Sequence, residues 1–265
     1  MTAIQGAALV TGASGGIGQA IARALAARGA QLVLTGRRAD VLEPLAQELG
    51  GRSLAVDLAD RDAAARLAAE VGDVEILVAN AALPAAGLVA DFSVEEVDRA
   101  LDVNLRAPIV LAKLLSDGMA QRGHGHLVFV SSLSGKAASP RGSLYSATKF
   151  GLRGFALCLR EDLRGSGVGV STVFPGFIRD AGMFANAGGE AQLPRGVGTR
   201  SPQDVAAAVV RAIERDRAEV DVAPVALRAG AAFAGIAPAF SASVSRRMGD
   251  AKIAEQLAEG HRANR

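Results

Sequence analysis

The chain contains a single tyrosine, Tyr145, and a lysine follows it by four residues in the stretch Ser143-Leu144-Tyr145-Ser146-Ala147-Thr148-Lys149-Phe150. Leu152 and Phe155-Ala156 continue the pattern at helical spacing. On a helix, residues i and i+4 share a face, so the phenol and the ammonium point into the same space. A free tyrosine ionises near ~10 and is a poor acid–base group at neutral pH, whereas a neighbouring cation favours phenolate and lowers that value. The pair is a candidate general acid–base, with Lys149 expected to depress the Tyr145 pKa. Taken alone, the same spacing describes a surface tyrosine beside a solvated lysine. The elements around it decide between the two.

Those elements alternate. The apolar run Ala7-Ala8-Leu9-Val10 reads as a buried strand, Thr11-Gly12-Ala13-Ser14-Gly15-Gly16-Ile17-Gly18 as a glycine turn, and Ile21, Ala24 and Leu25 as the face of a helix stopped at Gly29. A strand, a glycine turn and a helix make a dinucleotide site credible: glycines let the backbone approach a pyrophosphate, and the helix start offers free N–H groups and a positive dipole end. Gly12, Ser14, Gly16, Ile17 and Gly18 are the cofactor candidates there. Gln31-Leu32-Val33-Leu34-Thr35 is the second strand, ending in Gly36-Arg37-Arg38. This strand end faces the adenosine ribose in a dinucleotide fold. An acidic residue would suit the 2′-hydroxyl of NAD, whereas Arg37 suits a 2′-phosphate, so NADP(H) is expected over NAD(H).

Further strands are expected at residues 53–56, 75–79, 126–130, 168–174 and 219–222, separated by helical patterns. Asp40 is read as the cap of a helix to Leu49, and a helix is expected over residues 60–71. Ser93 should start a long amphipathic helix, kinked near Asn104 because Asn104 and Pro108 are poor interior residues. Ser201-Pro202-Gln203-Asp204 carries a capping serine and a first-turn proline. Residues 180–200 are glycine-rich and weakly periodic, either a lid or a surface loop. The pattern predicts an α/β, Rossmann-type, doubly wound parallel sheet of about seven strands with helices on both faces. One catalytic domain is expected over residues 1–223, with a helical extension over 224–265.

Composition narrows the classes. The 265 residues are 50% hydrophobic and 21% charged with net charge +2, a globular balance with no tryptophan and no basic patch interleaved with aromatics, so no nucleic-acid partner is expected. A single cysteine, Cys158, excludes an internal disulfide and fits a reducing, cytoplasmic compartment. His124, His126 and His261 have no metal-ligand spacing, and no metal is expected. The first apolar run leads into the glycine turn and reads as a strand, not a targeting peptide. The segment from Pro224 to Gly249 holds Arg228, Arg246 and Arg247 without an acidic residue. It reads as an extra helical layer, an oligomer contact or a membrane-surface helix, and it is at the short limit for a span.

Over residues 5 to 222 the pattern resembles the short-chain dehydrogenase/reductase family. Gly12, Gly16 and Gly18 match its cofactor signature. Asp57, with Leu58 after it, matches its adenine contact. Asn80-Ala81-Ala82 matches its Asn-Ala-Gly, with Ala82 in place of glycine. Ser132 stands thirteen residues before Tyr145, as in the family. Asn104, Ser132, Tyr145 and Lys149 complete its catalytic tetrad, and Pro175-Gly176 matches the motif flanking the nicotinamide. Asp180 stands where the family often has a threonine, so Ile178 is carried over only as a backbone contact.

The resemblance implies hydride transfer between a nicotinamide and a carbonyl or alcohol carbon. Tyr145 would be the proton donor and Ser132 would hold the oxygen. Lys149 would also bind the nicotinamide ribose and Tyr145 would face it, while Asn104 would hold a relay water. It also implies a homodimer or homotetramer. Leu133, Phe177, Met183, Phe184 and Leu193 are candidates for an apolar pocket, suggesting an apolar small-molecule carbonyl or alcohol. Two other readings stand beside this one: a nicotinamide-binding sensor without turnover, and a membrane-associated scaffold acting through its tail.

Overall fold

A computed structural model of the chain describes Ile4 and residues 6–182, 198–241, 243, 255 and 259. Seven strands form one parallel sheet: β1 (Gly6–Thr11), β2 (Ala30–Gly36), β3 (Arg52–Ala55), β4 (Ile76–Ala79), β5 (Gly125–Val130), β6 (Val168–Pro175) and β7 (Glu219–Val222). Their spatial order is β3-β2-β1-β4-β5-β6-β7, so the winding reverses between β1 and β4. That reversal opens the crevice in which such sheets take ligands, at the carboxyl ends of the strands.

The central strands β4 and β5 are mostly apolar on both faces because both faces are covered. Side chains alternate across a strand, so Ala8 and Val10 of β1 enter one core while Leu9 enters the other. The first core seats helices α1 (Gly16–Ala26), α2 (Ala39–Glu48) and α7 (Pro202–Glu214) through Ile21, Leu25, Leu42, Val205, Val209 and Ile213. The second seats α3 (Ala63–Val71), α5 (Ala107–Arg122) and α6 (Ser143–Asp162) through Leu67, Leu111, Leu115 and Leu152.

Three local expectations are corrected. Asp40 does not cap α2: the cap position is Arg38, and Asp40 sits in the first turn with no capping bond. The helix expected from residue 60 begins at Ala63, because the N–H of Asp62 bonds the Asp60 carboxylate and that of Asp60 the Asp57 carbonyl, folding the segment into turns. The long helix after Ser93 is three pieces: α4 (Val94–Leu101), a π turn over Asp102–Arg106 and α5, with Pro108 in the first turn of α5, where its missing N–H does no harm. By contrast, Ser201 and Asp204 form a full capping box, as do Ser93 and Glu96.

Beyond β7, helix α8 (Val225–Ile236) leaves Val225, Phe233 and Ile236 exposed, and Phe233 meets Phe240 edge to face. Among the described residues no helix is long and apolar enough to cross a membrane. The sequence of residues 251–258 also reads as a short terminal helix, which lies outside the described residues except for Glu255, which pairs with Arg141 at 2.9 Å.

One titratable group lies deep in the sheet. His126 of β5 is fully buried, its Nε2 is 2.8 Å from the Ser171 hydroxyl, and its Nδ1 has no partner. Burial lowers its pKa from 6.5 to about 4, with Asp216 opposing and Arg160 assisting. The folded state therefore prefers neutral imidazole. Its contribution is intact above pH 6.5 and is lost as pH falls from 6.5 toward 4. Thermal unfolding should accordingly show a loss on the order of 2 kcal/mol between pH 6.5 and 4.5 that His126→Gln largely removes. An identical pH dependence in that variant would contradict the assignment.

Candidate active site

The glycine turn is held from below by one amide. Asn80, just past β4, donates from Nδ2 to the carbonyls of Thr11 (3.0 Å) and Gly12 (3.2 Å). The Thr11 hydroxyl in turn accepts the N–H groups of Asn80 and Ala81, each at 3.0 Å. Thr11 is a positioning residue that the motif reading passed over; its buried hydroxyl at a strand end was the available signal. Gly12 has φ +66°, and a Cβ there would lie 2.8 Å from the Ala81 backbone. At Gly18 a Cβ would lie 2.3 Å from the Gly12 carbonyl oxygen, so this glycine lets α1 pack against the turn.

The start of α1 fits an anion. Its N-cap is Gly15, with no capping side chain and no acidic residue in the first turn, and Gly15 and Gly16 are exposed. A diphosphate would find free N–H donors there. Ala181 packs against Gly16, and Gly182 against Ile17. Asp180 adopts φ +64° and pairs with Arg179 at 3.5 Å, its carboxylate largely exposed. Ile178 is buried, and its bridge to Arg200 uses the N–H of Arg179 and the carbonyl of Phe177, not its own peptide groups. That leaves the Ile178 backbone available for the contact expected of it.

Arg37 and Arg38 are both exposed at the end of β2, and Arg38 donates to the Ser14 carbonyl across the turn. Ser14 itself packs against Gly36. Asp57 is more engaged than its motif suggested. Burial alone would raise its pKa, but the Ala59 N–H at 3.0 Å, Arg99 at 3.0 Å and the charge of Arg37 together hold it below the usual carboxylate value. Leu58 beside it is buried in the second core.

Asn104 lies in the π turn and is 1% exposed. Its Oδ1 accepts the Leu83 N–H at 2.7 Å and its Nδ2 donates to the Leu83 carbonyl at 3.0 Å. The side chain thus serves as a bracket for the loop after β4, and stripping it would leave two backbone groups unpaired, each costing about 1–3 kcal/mol. Holding this loop is a role of Asn104 beside the relay expected of it.

Ser132, Tyr145 and Lys149 come together at the end of β5. Ser132 leads a short 3-10 turn (Leu133–Gly135); its Oγ accepts the Ser134 N–H at 3.1 Å, leaving its own proton free to donate. The Ser132 hydroxyl also acts on the half-buried Tyr145 phenol, opposing the rise of its pKa. Lys149 is 2% exposed, donates from Nζ to the Val130 carbonyl at 3.1 Å and lies 5.6 Å from the Tyr145 ring centroid. The Lys149 carbonyl accepts from Ser131 Oγ at 3.2 Å.

The pKa expectation for the pair is reversed in the protein alone. Burial pushes Tyr145 up to about 12 despite the opposing Ser132 bond, and burial pushes Lys149 down to about 8. Desolvation penalises both charged forms, and at this separation it outweighs their attraction. Pro175 and Gly176 end β6 beside this cluster, with the Gly176 N–H on the Val222 carbonyl at 3.0 Å and Leu133 packed near it. Leu133 and Phe177 are half-buried, while Met183, Phe184 and Leu193 lie outside the described residues. An apolar wall of Ala85, Phe92, Val97 and Leu144 packs around Tyr145 instead, and it was not foreseen. A groove of about 710 Å³ between α1 and α7 is lined by none of the four tetrad residues.

Residues 6–191 match the family model for short chain dehydrogenases. The chain is 35% identical over 232 residues to ketoacyl reductase HetN of Nostoc sp., covering 84% of this chain and 80% of that protein. It is 36% identical over 183 residues to dehydrogenase/reductase SDR family member 7B of Mus musculus, covering 64% of this chain but only 57% of the mouse protein. Among solved structures, a metagenomic short-chain oxidoreductase in complex with NADP superposes with TM-score 0.68 at 34% identity, covering 84% of this chain and 97% of that one.

Because Tyr145 is the sole tyrosine, its phenolate absorbance can be titrated without interference. In the protein alone, with far-UV circular dichroism still native, no phenolate should appear before pH 10. Ser132→Ala should delay it further, since the Ser132 bond is what lowers the pKa. Ionisation below pH 10 in the native protein would contradict this picture.

Proposed function

The chain belongs to the short-chain dehydrogenase family, and from that premise we propose that it interconverts a carbonyl and an alcohol using NADP(H), with Tyr145 as general acid and base. Nicotinamide-dependent oxidoreduction is the family's chemistry. The single observation that carries the finer reading is the packing of the turn led by Ser132 against Lys149 of α6, through Gly135, with the buried Lys149 Nζ 5.6 Å from the Tyr145 ring centroid.

When bound, the nicotinamide supplies or accepts the hydride. The side chains manage the oxygen. In the reducing direction the Tyr145 O–H gives its proton to the carbonyl oxygen, and Ser132 donates a hydrogen bond to that oxygen as negative charge develops on it. The Ser134 N–H on Ser132 Oγ orients the hydroxyl for this. Lys149 has three donors and gives one to Val130, so ribose hydroxyls suit the others. A relay water, if held at Asn104, would rest on the backbone of the π turn, since the amide is committed to Leu83.

The cofactor would lie along the carboxyl ends of the strands. Gly12, Ser14, Gly16, Ile17 and Gly18 would take the diphosphate, and Asp57, Leu58 and Asn80 would take the adenosine side. Pro175, Gly176 and Ile178 would take the nicotinamide. Arg37, joined by Arg38, faces the site of a 2′-phosphate, and the metagenomic neighbour solved with NADP favours the same choice. The cluster of Ala85, Phe92, Val97 and Leu144 that packs with Tyr145 favours an apolar substrate. The name of the Nostoc relative favours a keto group.

Replacement of Tyr145 by Phe tests the assignment on a panel of carbonyls with NADPH. Turnover should fall by roughly 10²–10⁴-fold while NADPH affinity changes little. Wild-type turnover in that variant would sink it.

A further inference from the structure

A second cluster of charges joins the turn led by Ser132, helix α6 and strand β7. Lys136, which closes the turn led by Ser132, has a side chain only 12% exposed and reaches Asp221 (2.7 Å) and Glu219 (3.0 Å) on β7. Arg153 forks onto the same Glu219 carboxylate at 2.6 and 3.2 Å. Both cations lie over the Phe174 ring of β6, at 4.0 and 5.8 Å from its centroid. Glu219 and Asp221 are alternate residues of a strand and so share a face. Tyr145, Lys149 and Arg153 are spaced by four and share one face of α6. Glu219 is therefore bonded, through Lys136 and Arg153, both to the element carrying Ser132 and to the element carrying Tyr145 and Lys149.

We propose that Glu219 is a positioning residue: through Lys136 and Arg153 it locks the Ser132 turn against α6 and so sets the placement of Ser132 relative to Tyr145. This rests on the oxidoreductase reading for its effect on turnover, but not for its effect on geometry. Three observations favour it over a role in stability alone. First, the turn and the helix already touch where Gly135 packs on the Lys149 carbonyl, a contact so close that a Cβ on Gly135 would lie 2.7 Å from that oxygen. A small shift of either element is therefore transmitted to the site. Second, the Lys136 N–H bonds the Leu133 carbonyl at 2.9 Å, so the anchored lysine is continuous with the backbone that carries Ser132. Third, partly buried ion clusters add little stability relative to apolar packing of the same shape, whereas their directional bonds fix one arrangement. Glu219 is held ionised for this: burial works against it, but the Arg153 and Lys136 bonds prevail and its pKa is lowered.

The lone tyrosine makes the geometry measurable apart from activity. Full-length protein labelled with ¹³Cζ-tyrosine gives a single resonance, from Tyr145. Glu219→Gln and Lys136→Met should each shift or split it, and Lys136→Arg should leave it in place. In the same two variants kcat should fall about tenfold with NADPH affinity and carbonyl KM nearly unchanged, the signature of a misplaced reacting group. If Glu219→Gln does not fold, Arg153→Gln reads the same coupling. A resonance at the wild-type position in the folded variants overturns the proposal, as does a shifted resonance with undiminished kcat. A shifted resonance in a chain whose wild type binds NADPH but turns over no carbonyl supports the geometric claim and removes the oxidoreductase reading instead.

Discussion

A lysine ammonium that is almost wholly withdrawn from water organises the functional end of this molecule. Burial of an ammonium is unfavourable unless its protons find acceptors. Lys149 has the Val130 carbonyl for one of them, yet its burial still lowers its pKa to about 8. Three elements converge on this residue. β5 ends at Val130, Ser131 bonds the lysine carbonyl, and the Ser132 turn packs on it through Gly135. The arrangement is paid for by the surrounding fold, and it leaves polar capacity that a bound ribose would use.

The strand ends on which this depends are themselves tied by side-chain amides. Asn80 joins the end of β4 to the glycine turn after β1, spanning the point at which the sheet reverses. Asn104 joins the π turn to the loop after β4. Both loops would otherwise carry backbone groups unable to pair in a parallel ladder. The amides pair them and leave the crevice between the loops open. The half-buried cluster centred on Glu219 does the corresponding task on the other flank, where the edge strand β7 receives the Ser132 turn and the tyrosine helix. Rigid supports on two sides suit a reaction that depends on placing one oxygen within reach of two hydroxyls.

The architecture was legible because buried parallel strands and their covering helices leave strong periodic signals. Residues 219–222 are the seventh strand as read, and the Ser201–Asp204 signature is a formed capping box. Asp40 shows the limit of that reading, since a good capping residue two positions inside a helix does not cap it. The Asn104 irregularity was visible as two poor helix formers, but a π turn with its amide turned to Leu83 depends on a loop twenty-one residues away. The Tyr145–Lys149 spacing correctly brought the two groups to one face. Their pKa directions followed from burial, which spacing alone does not carry. Lys136, Arg153 and Glu219 had no local signature at all, because their bonds join residues 66 apart or more in the chain. Ion pairs of that reach become visible only once the sheet order is known.

The most direct test of the central claim is calorimetric titration of the full chain with NADPH and with NADH, followed by a carbonyl and alcohol panel read at the nicotinamide absorbance. The account predicts that NADPH binds at least about tenfold more tightly, reflecting the guanidinium–phosphate contact at Arg37, and that at least one apolar carbonyl is turned over. Binding of neither cofactor would contradict it.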